Sequence, residues 1–412
     1  SGSTTIRAPG AVRDGRLIAP KARQVVSDLM GQLTSALEAR RSRGRLRTLE
    51  TRSSAQGVDI TMDGRRLVNF TSNDYLGLAD DPRLIRRVHA ELDRHGFGSG
   101  AASLLSGRSQ LHAELEQRLA RFTGMEAALV FSSGYLANLG AIAALVERRS
   151  YVMHDRLNHA SLIDAVVASG AQHRRYPHLD MDGLDARLSC VPDAMKWIIT
   201  ESVFSMDGDM APIGTLARLS RKREATLYID DAHGFGVTHG GRGVFCALAD
   251  TDSSDYIVMV TFGKALGSMG AAILASQQVI DYLVQTARTF VYDTALPPVC
   301  AAAALEALSI LEEDDRANRK LAENITHFRA AAAAAGLPIM DSNTPIQPIL
   351  IGEDARAVGV AGGVCEDGFY VRAIRPPTVP DGSARIRITL SAAHQRRHLE
   401  DLVSSMAYRL SI

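Results

Sequence analysis

A chain of 412 residues, 46% hydrophobic and 22% charged, is long enough for a large α/β domain and a smaller companion. Lysine plus arginine balances aspartate plus glutamate at 46 each, so no bulk field draws the chain to nucleic acid or an anionic membrane, and neither is expected as a partner. No apolar run approaches the roughly 18 residues of a membrane span, and four scattered cysteines without a C-x-x-C pair argue against a disulfide framework or a zinc site, so no metal and a cytoplasmic setting are expected.

In chain order, residues 1–3 read as a cloning remnant and residues 1–25 as a poorly ordered arm. Residues 26–70 suit an N-terminal helix and hairpin, with the basic stretch 40–47 as a solvated face. From 71 to 297 short apolar runs alternate with amphipathic ones. Runs 127–131, 151–154, 197–200, 226–229, 256–260 and 271–275 are mostly continuous in Val, Ile, Leu and Ala, as strands buried on both faces require. Helical patterns at 111–122, 160–168 and 213–222 lie between several of them, which predicts βαβ units and a mostly parallel sheet. Residues 298–412 change rhythm. A long helical stretch (299–335), strands at 346–351, 370–374 and 386–390, and helices at 354–366 and 394–408 predict a smaller α+β domain.

Chemistry gathers just after the strands, where open α/β sheets form their sites. Lysine is scarce, occurring at Lys21, Lys196, Lys222, Lys264 and Lys320, and Lys264 alone follows an apolar strand and stands between small residues. A partly desolvated amine there has a lowered pKa and forms a Schiff base, although a strand-end lysine reaching solvent is an equal reading of that residue alone. Asp230 in Asp230-Asp231-Ala-His233-Gly ends another strand, where a carboxylate can pair with a protonated pyridine nitrogen. A metal pair lacks a third ligand, and the glycines that follow lack the third glycine of a dinucleotide turn. Ser133-Gly134-Tyr135 leads from strand to helix, where backbone N–H groups bind phosphate. His159 opens a further helix, able to stack on a ring or merely to cap.

Together these turns supply a phosphate cradle, a carboxylate for a ring nitrogen and an imine lysine. The motifs Asn69-Phe-Thr-Ser-Asn73, Asp155-Arg-Leu-Asn-His159, Glu201-Ser-Val-Phe-Ser205, Asp230-Asp-Ala-His233, Thr261-Phe-Gly-Lys264 and Arg375-Pro-Pro-Thr378 occur in that order. With them the sequence resembles the α-oxoamine synthase family of fold-type I pyridoxal 5′-phosphate enzymes, from about residue 27 to the end. The resemblance implies a large domain with a seven-stranded sheet and a homodimer with shared sites. It implies that Lys264 is the imine lysine and acid/base, that Asp230 pairs with the pyridine nitrogen, and that His233 and Ser205 bond the phenolic oxygen. It further implies that His159 stacks on the ring, and that Ser133, Gly134, Tyr135 and Thr261 hold the phosphate with Thr294 of the other subunit. Asn73, Arg375 and Thr378 would meet the amino-acid carboxylate, and Arg47 the acyl substrate.

The implied reaction is a decarboxylative condensation of an amino acid with an acyl thioester of CoA or a carrier protein. The Arg375 motif leans toward the biotin-pathway branch, hence L-alanine and a pimeloyl thioester. Sibling activities stay open: glycine C-acetyltransferase, 5-aminolevulinate synthase, serine palmitoyltransferase or a carrier-protein-dependent acyltransferase. Segment 98–107 departs from the family by placing leucines where many relatives carry Arg or His, which leaves the acyl donor open.

Overall fold

The computed structural model describes residues 19–411, with side chains from Asp28 onward. Of the arm expected over 1–25, residues 1–18 lie outside the described residues, and helix α1 (Ala19–Ser42) occupies the rest. Contacts divide the chain into two units, 1–49 and 50–412. In the first, α1 leaves Leu29, Leu33 and Leu37 exposed at four-residue spacing.

The second unit opens with the expected hairpin, β1 (Asp59–Met62) and β2 (Arg65–Asn69). Its two-residue turn is Asp63-Gly64, both at positive φ, as the twist of a tight hairpin demands. Helices α2 (Pro82–His95) and α3 (Gln110–Thr123) follow. The chain then alternates through β3 (Ala127–Phe131), α4 (Gly134–Leu145), β4 (Tyr151–Asp155), α5 (Ala160–Ser169), β5 (Gln172–Tyr176), α6 (Met181–Ser189), β6 (Lys196–Glu201), α7 (Ile213–Arg223) and β7 (Ala225–Asp230). Strands β8 (Tyr256–Thr261) and β9 (Ala271–Ala275) complete a seven-stranded sheet in the order β3-β9-β8-β7-β6-β4-β5. β9 runs antiparallel to both neighbours, and the other pairings are parallel.

Strand side chains alternate between two apolar layers. Ile199, Tyr228 and Met259 pack with Ala137, Ala141 and Leu162 of α4 and α5. Their neighbours Ile198, Leu227, Ile229 and Val258 face the opposite layer with Leu115 of α3 and Leu216 of α7. Burial on both faces is why these strands are continuous apolar runs. β5 breaks that pattern: four of its five residues are exposed, and its polar sequence suits the sheet edge it forms.

After β9 come α8 (Gln277–Thr286), α9 (Arg288–Val291), α10 (Pro298–Glu313) and α11 (Arg316–Ala334). The single helix expected over 299–335 is thus two, divided at Asp314, whose carboxylate takes the Arg316 N–H at 2.9 Å. β10 (Ile346–Gly352), α12 (Asp354–Glu366), β11 (Phe369–Tyr370), β12 (Ala373–Ile374), β13 (Ala384–Thr389) and α13 (Arg396–Ser411) end the chain. The strand expected at 370–374 is split, because the chain there crosses from one sheet to another. β11 joins the hairpin beside β2, and β12 pairs with β13 in the sheet β10-β13-β12.

Candidate active site

The ends of β6, β7 and β8 open on a cavity of about 300 Å³. The alternation along each strand decides what enters it. Glu201, Asp230 and Thr261 share the face of Ile199, Tyr228 and Met259, and all three line the cavity beneath α4 and α5. Gly134 and Tyr135 at the start of α4 and His159, the N-cap of α5, form the opposing wall. The adjacent Asp231 points away. It is fully buried, accepting from Ser202 Oγ at 2.5 Å and Val244 N at 3.0 Å, and burial pushes its carboxyl up to about 7.

Asp230 is 5% exposed and held from two sides. Asn138 Nδ2 donates to its Oδ2 at 2.8 Å and Ala232 N to its Oδ1 at 2.9 Å. The buried Asn138 is itself fixed, since Tyr228 Oη donates to its Oδ1 at 2.8 Å. A carboxylate so oriented is preorganised for a cationic partner arriving in the cavity.

Lys264 lies on the loop after β8 and reaches the same cavity. Burial lowers its ammonium to about 8, with the charge of Asp230 opposing. Such an amine is available as a base or nucleophile near neutral pH. His233 is held well below the ordinary imidazole value by burial and then by the Lys264 charge. Its Nδ1 lies 2.7 Å from Tyr75 Oη, within reach of Asn73 Oδ1 at 3.2 Å from the same hydroxyl. His159 is likewise lowered by burial, with Asp230 opposing.

Among the lining residues that motif reading left without a role are Asn138, Glu201 and Arg387. Arg387 comes from β13 and is 8% exposed. Its Nε donates to Ser205 O at 2.5 Å and its Nη2 to Asn73 Oδ1 at 3.2 Å. Its strand neighbour Arg385 pairs with Asp207 at 2.7 Å, whereas no described ion pair includes Arg387. A buried guanidinium without a carboxylate partner is costly unless an anion joins it. In sequence Arg387 is one of two arginines, with Arg385, that alternate with Ala384, Ile386 and Ile388 along β13.

Beneath this cavity a charged clamp ties two of its turns. His178 Nδ1 lies 2.9 Å from Asp155 Oδ1 and its Nε2 2.8 Å from Asp209 Oδ2, while its ring meets Phe204 edge-on at 4.4 Å. Asp155 begins the turn to His159, and Asp209 closes the turn that carries Ser205. Burial alone would lower the imidazolium, but the two carboxylates outweigh it and push it up to about 9. A raised value stabilises the fold fully below the ordinary 6.5, and the gain is lost as pH rises through 9. His178→Gln is therefore expected to cost about 2–3 kcal/mol near pH 6 and little near pH 10, as read from melting temperature against pH. An equal loss at both pH values would contradict the clamp.

Of the residues expected at the site, the structure gathers Asn73, Gly134, Tyr135, His159, Ser205, Asp230, His233, Thr261 and Lys264 around one cavity. Ser133 stands just behind, its Oγ capping α4 by accepting from Leu136 N at 3.3 Å. Thr294 is exposed outside this cavity and bridges Ala102. Arg375 and Thr378 are not in its wall. Arg375 follows Ile374, which pairs with Arg385, so it borders the strand bearing Arg387. Arg47 belongs to unit 1–49, whereas every residue of the cavity belongs to 50–412. Segment 98–107 folds into a tight turn with Leu104 and Leu105 exposed.

The cavity matches the chemistry of the expected pyridoxal phosphate. The N-terminus of the 12-residue α4, where the dipole favours an anion, suits a phosphate. Asp230 suits a protonated ring nitrogen, and Lys264 an aldehyde carbon. Among the described residues no cluster of three or more His, Cys, Asp or Glu is placed to hold a metal, and no helix is long and apolar enough to cross a membrane.

Residues 65–406 match the family model for aminotransferase class I and II. The chain is 47% identical over 380 residues to an 8-amino-7-oxononanoate synthase of Alkalilimnicola ehrlichii, covering 92% of this chain and 97% of that protein. A serine palmitoyltransferase of Sphingomonas wittichii superposes with a TM-score of 0.83 at 28% identity, over 95% of this chain and 98% of the other. An 8-amino-7-oxononanoate synthase of Francisella tularensis superposes at 0.72 and 28% identity, over 84% and 98%.

Proposed function

The chain belongs to the class I and II aminotransferase family, and from that membership and its 47% identity to an 8-amino-7-oxononanoate synthase we propose that it is a pyridoxal-phosphate-dependent acyltransferase of the biotin pathway. It condenses L-alanine with a pimeloyl thioester, releasing carbon dioxide and the free thiol and forming 8-amino-7-oxononanoate. The observation that carries the reading is the pairing of Lys264 with the preorganised Asp230 across one cavity. When bound, pyridoxal phosphate supplies an electron sink for charge developing at the amino-acid Cα.

The chain's own residues do the rest. Lys264 would hold the cofactor covalently, and its free amine, whose ionisation burial opposes, would take the Cα proton and later return it. Asp230 would keep a proton at the ring nitrogen, and His159 would cover the ring. Gly134, Tyr135 and Thr261 hold the phosphate with Ser133 shaping the turn. His233, kept neutral by burial, and Ser205 meet the phenolic oxygen. Arg387 and Asn73, already bonded to each other, receive the amino-acid carboxylate, with Arg375 and Thr378 on the adjoining loop. Around the Ala102–Thr294 bridge, Leu105 and Tyr292 are 81% and 72% exposed. Such an apolar rim supports a second copy of the chain as partner, with Thr294 reaching the partner's phosphate.

Arg387→Met is expected to raise the KM for the amino acid about a hundredfold, since a charge-assisted pair with a carboxylate is lost. An unchanged KM would remove Arg387 from the carboxylate site. The reaction itself is tested with alanine labelled at the carboxyl carbon. The label should leave as carbon dioxide in step with free thiol, whereas pyruvate retaining the label would mean transamination.

A further inference from the structure

We propose that Glu201 is a positioning residue, standing uncharged beside Asp230 and clamping the turns of His159 and Ser205 to the end of β6. The proposal rests on the reading that Lys264 holds pyridoxal phosphate in this cavity.

Glu201 and Asp230 are register partners at the ends of parallel strands β6 and β7, on the same face of the sheet. They are 3% and 5% exposed. Adjacent strands lie about 4.8 Å apart, so two carboxyl groups stand side by side with little water between them. Two anions in that arrangement are not both tolerated, and one keeps a proton. Asp230 is the one turned to a cationic ring nitrogen and braced by Asn138. The proton therefore falls to Glu201. Burial, and then the charge of Asp230, push its carboxyl well above the ordinary carboxylate range. The charged or titratable groups facing it are Asp230, Lys264 and His159.

An uncharged Glu201 still accepts hydrogen bonds. His159 N donates to its Oε1 at 2.5 Å, and the backbone N–H of Ser205 also bonds it. One side chain thus fixes the turn that sets the His159 ring and the turn that presents Ser205. The His159 turn continues the network. Its Nδ1 lies 2.8 Å from Ser161 Oγ, Asn138 Nδ2 donates to the same Oγ at 2.9 Å, and Asn138 returns to Asp230. Removing the Glu201 acceptor opens this ring of contacts at His159 and leaves a buried N–H unpaired.

The test compares wild type with Glu201→Gln, Glu201→Ala and Glu201→Asp in two measurements that need no turnover. These are the pyridoxal phosphate Kd and the pH at which the absorbance of the Lys264-bound cofactor changes. Glu201→Gln keeps the acceptor oxygen and the zero charge. It is expected to bind within about threefold of wild type, with a spectral transition within about half a pH unit. Glu201→Ala is expected to bind at least about tenfold more weakly. Should it show no cooperative melt, Glu201→Asp, which withdraws the oxygen by one methylene, carries the same expectation. A downward move of the Glu201→Gln transition by half a unit or more would show that Glu201 is an anion in the wild type. Wild-type affinity in the folded Ala or Asp variant would show that it clamps nothing. Either result overturns the proposal while leaving Lys264 in place. A wild type with no cofactor absorbance traceable to Lys264 overturns the proposal together with the reading beneath it.

Discussion

Lys264→Ala should lose turnover by a factor on the order of 10⁴ or more while melting within a few degrees of wild type. Among the described side chains the other lysines are Lys196, Lys222 and Lys320, and none of them lines the cavity, so none of these amines substitutes for it. The loop that carries Lys264 is anchored by the buried Phe262, Ala265 and Leu266, so truncating the side chain removes chemistry rather than core. It also removes a charge whose ionisation burial already opposes, which leaves no reason for a large loss of stability. Turnover is measured with cofactor in excess, and the melt without substrate. A variant retaining more than about one part in a hundred of wild-type turnover would rule Lys264 out as the proton carrier.

Asp230→Asn should slow turnover by about 10²–10³-fold, the scale of one preorganised electrostatic partner. The substitution keeps the shape, and its amide oxygen can still accept from Asn138 Nδ2 or Ala232 N, which hold the wild-type carboxylate at 2.8 and 2.9 Å. What changes is the charge offered to the ring nitrogen. Because Glu201 stands beside it in register, the variant also relieves Glu201 of a neighbouring anion. That relief does not restore the lost partner, since Glu201 accepts from the His159 and Ser205 N–H groups instead. Rates within tenfold of wild type would mean that the nitrogen carries no proton in the slow step.

Much of this site was readable before any coordinates. Lys264, Asp230, His159 and Gly134 each follow a run of buried strand, and strand ends are where a parallel sheet gathers its chemistry. The six named strands of the large sheet are regular because they are buried on both faces. β5 was missed for the converse reason: Gln-His-Arg-Arg at a sheet edge shows no apolar periodicity. The break at Asp314 lies between two helical patterns, with neither proline nor glycine to mark it. Glu201 was visible inside a motif, but its role depends on register with Asp230, a relation between strands that no single strand encodes. Arg387 shows the same gap. Its distance from Asn73 is a tertiary fact spanning 314 residues, and in sequence it reads no differently from Arg385 two residues before it.

The most direct test of the central claim is to supply cofactor-loaded protein with pimeloyl-CoA and, separately, alanine, glycine and serine, following thiol release and the mass of the product. Release is expected with alanine, at least about tenfold faster than with the other two, with a product of the mass of 8-amino-7-oxononanoate. Release with glycine or serine at a rate equal to or above that with alanine would contradict it and move the chain to a sibling activity.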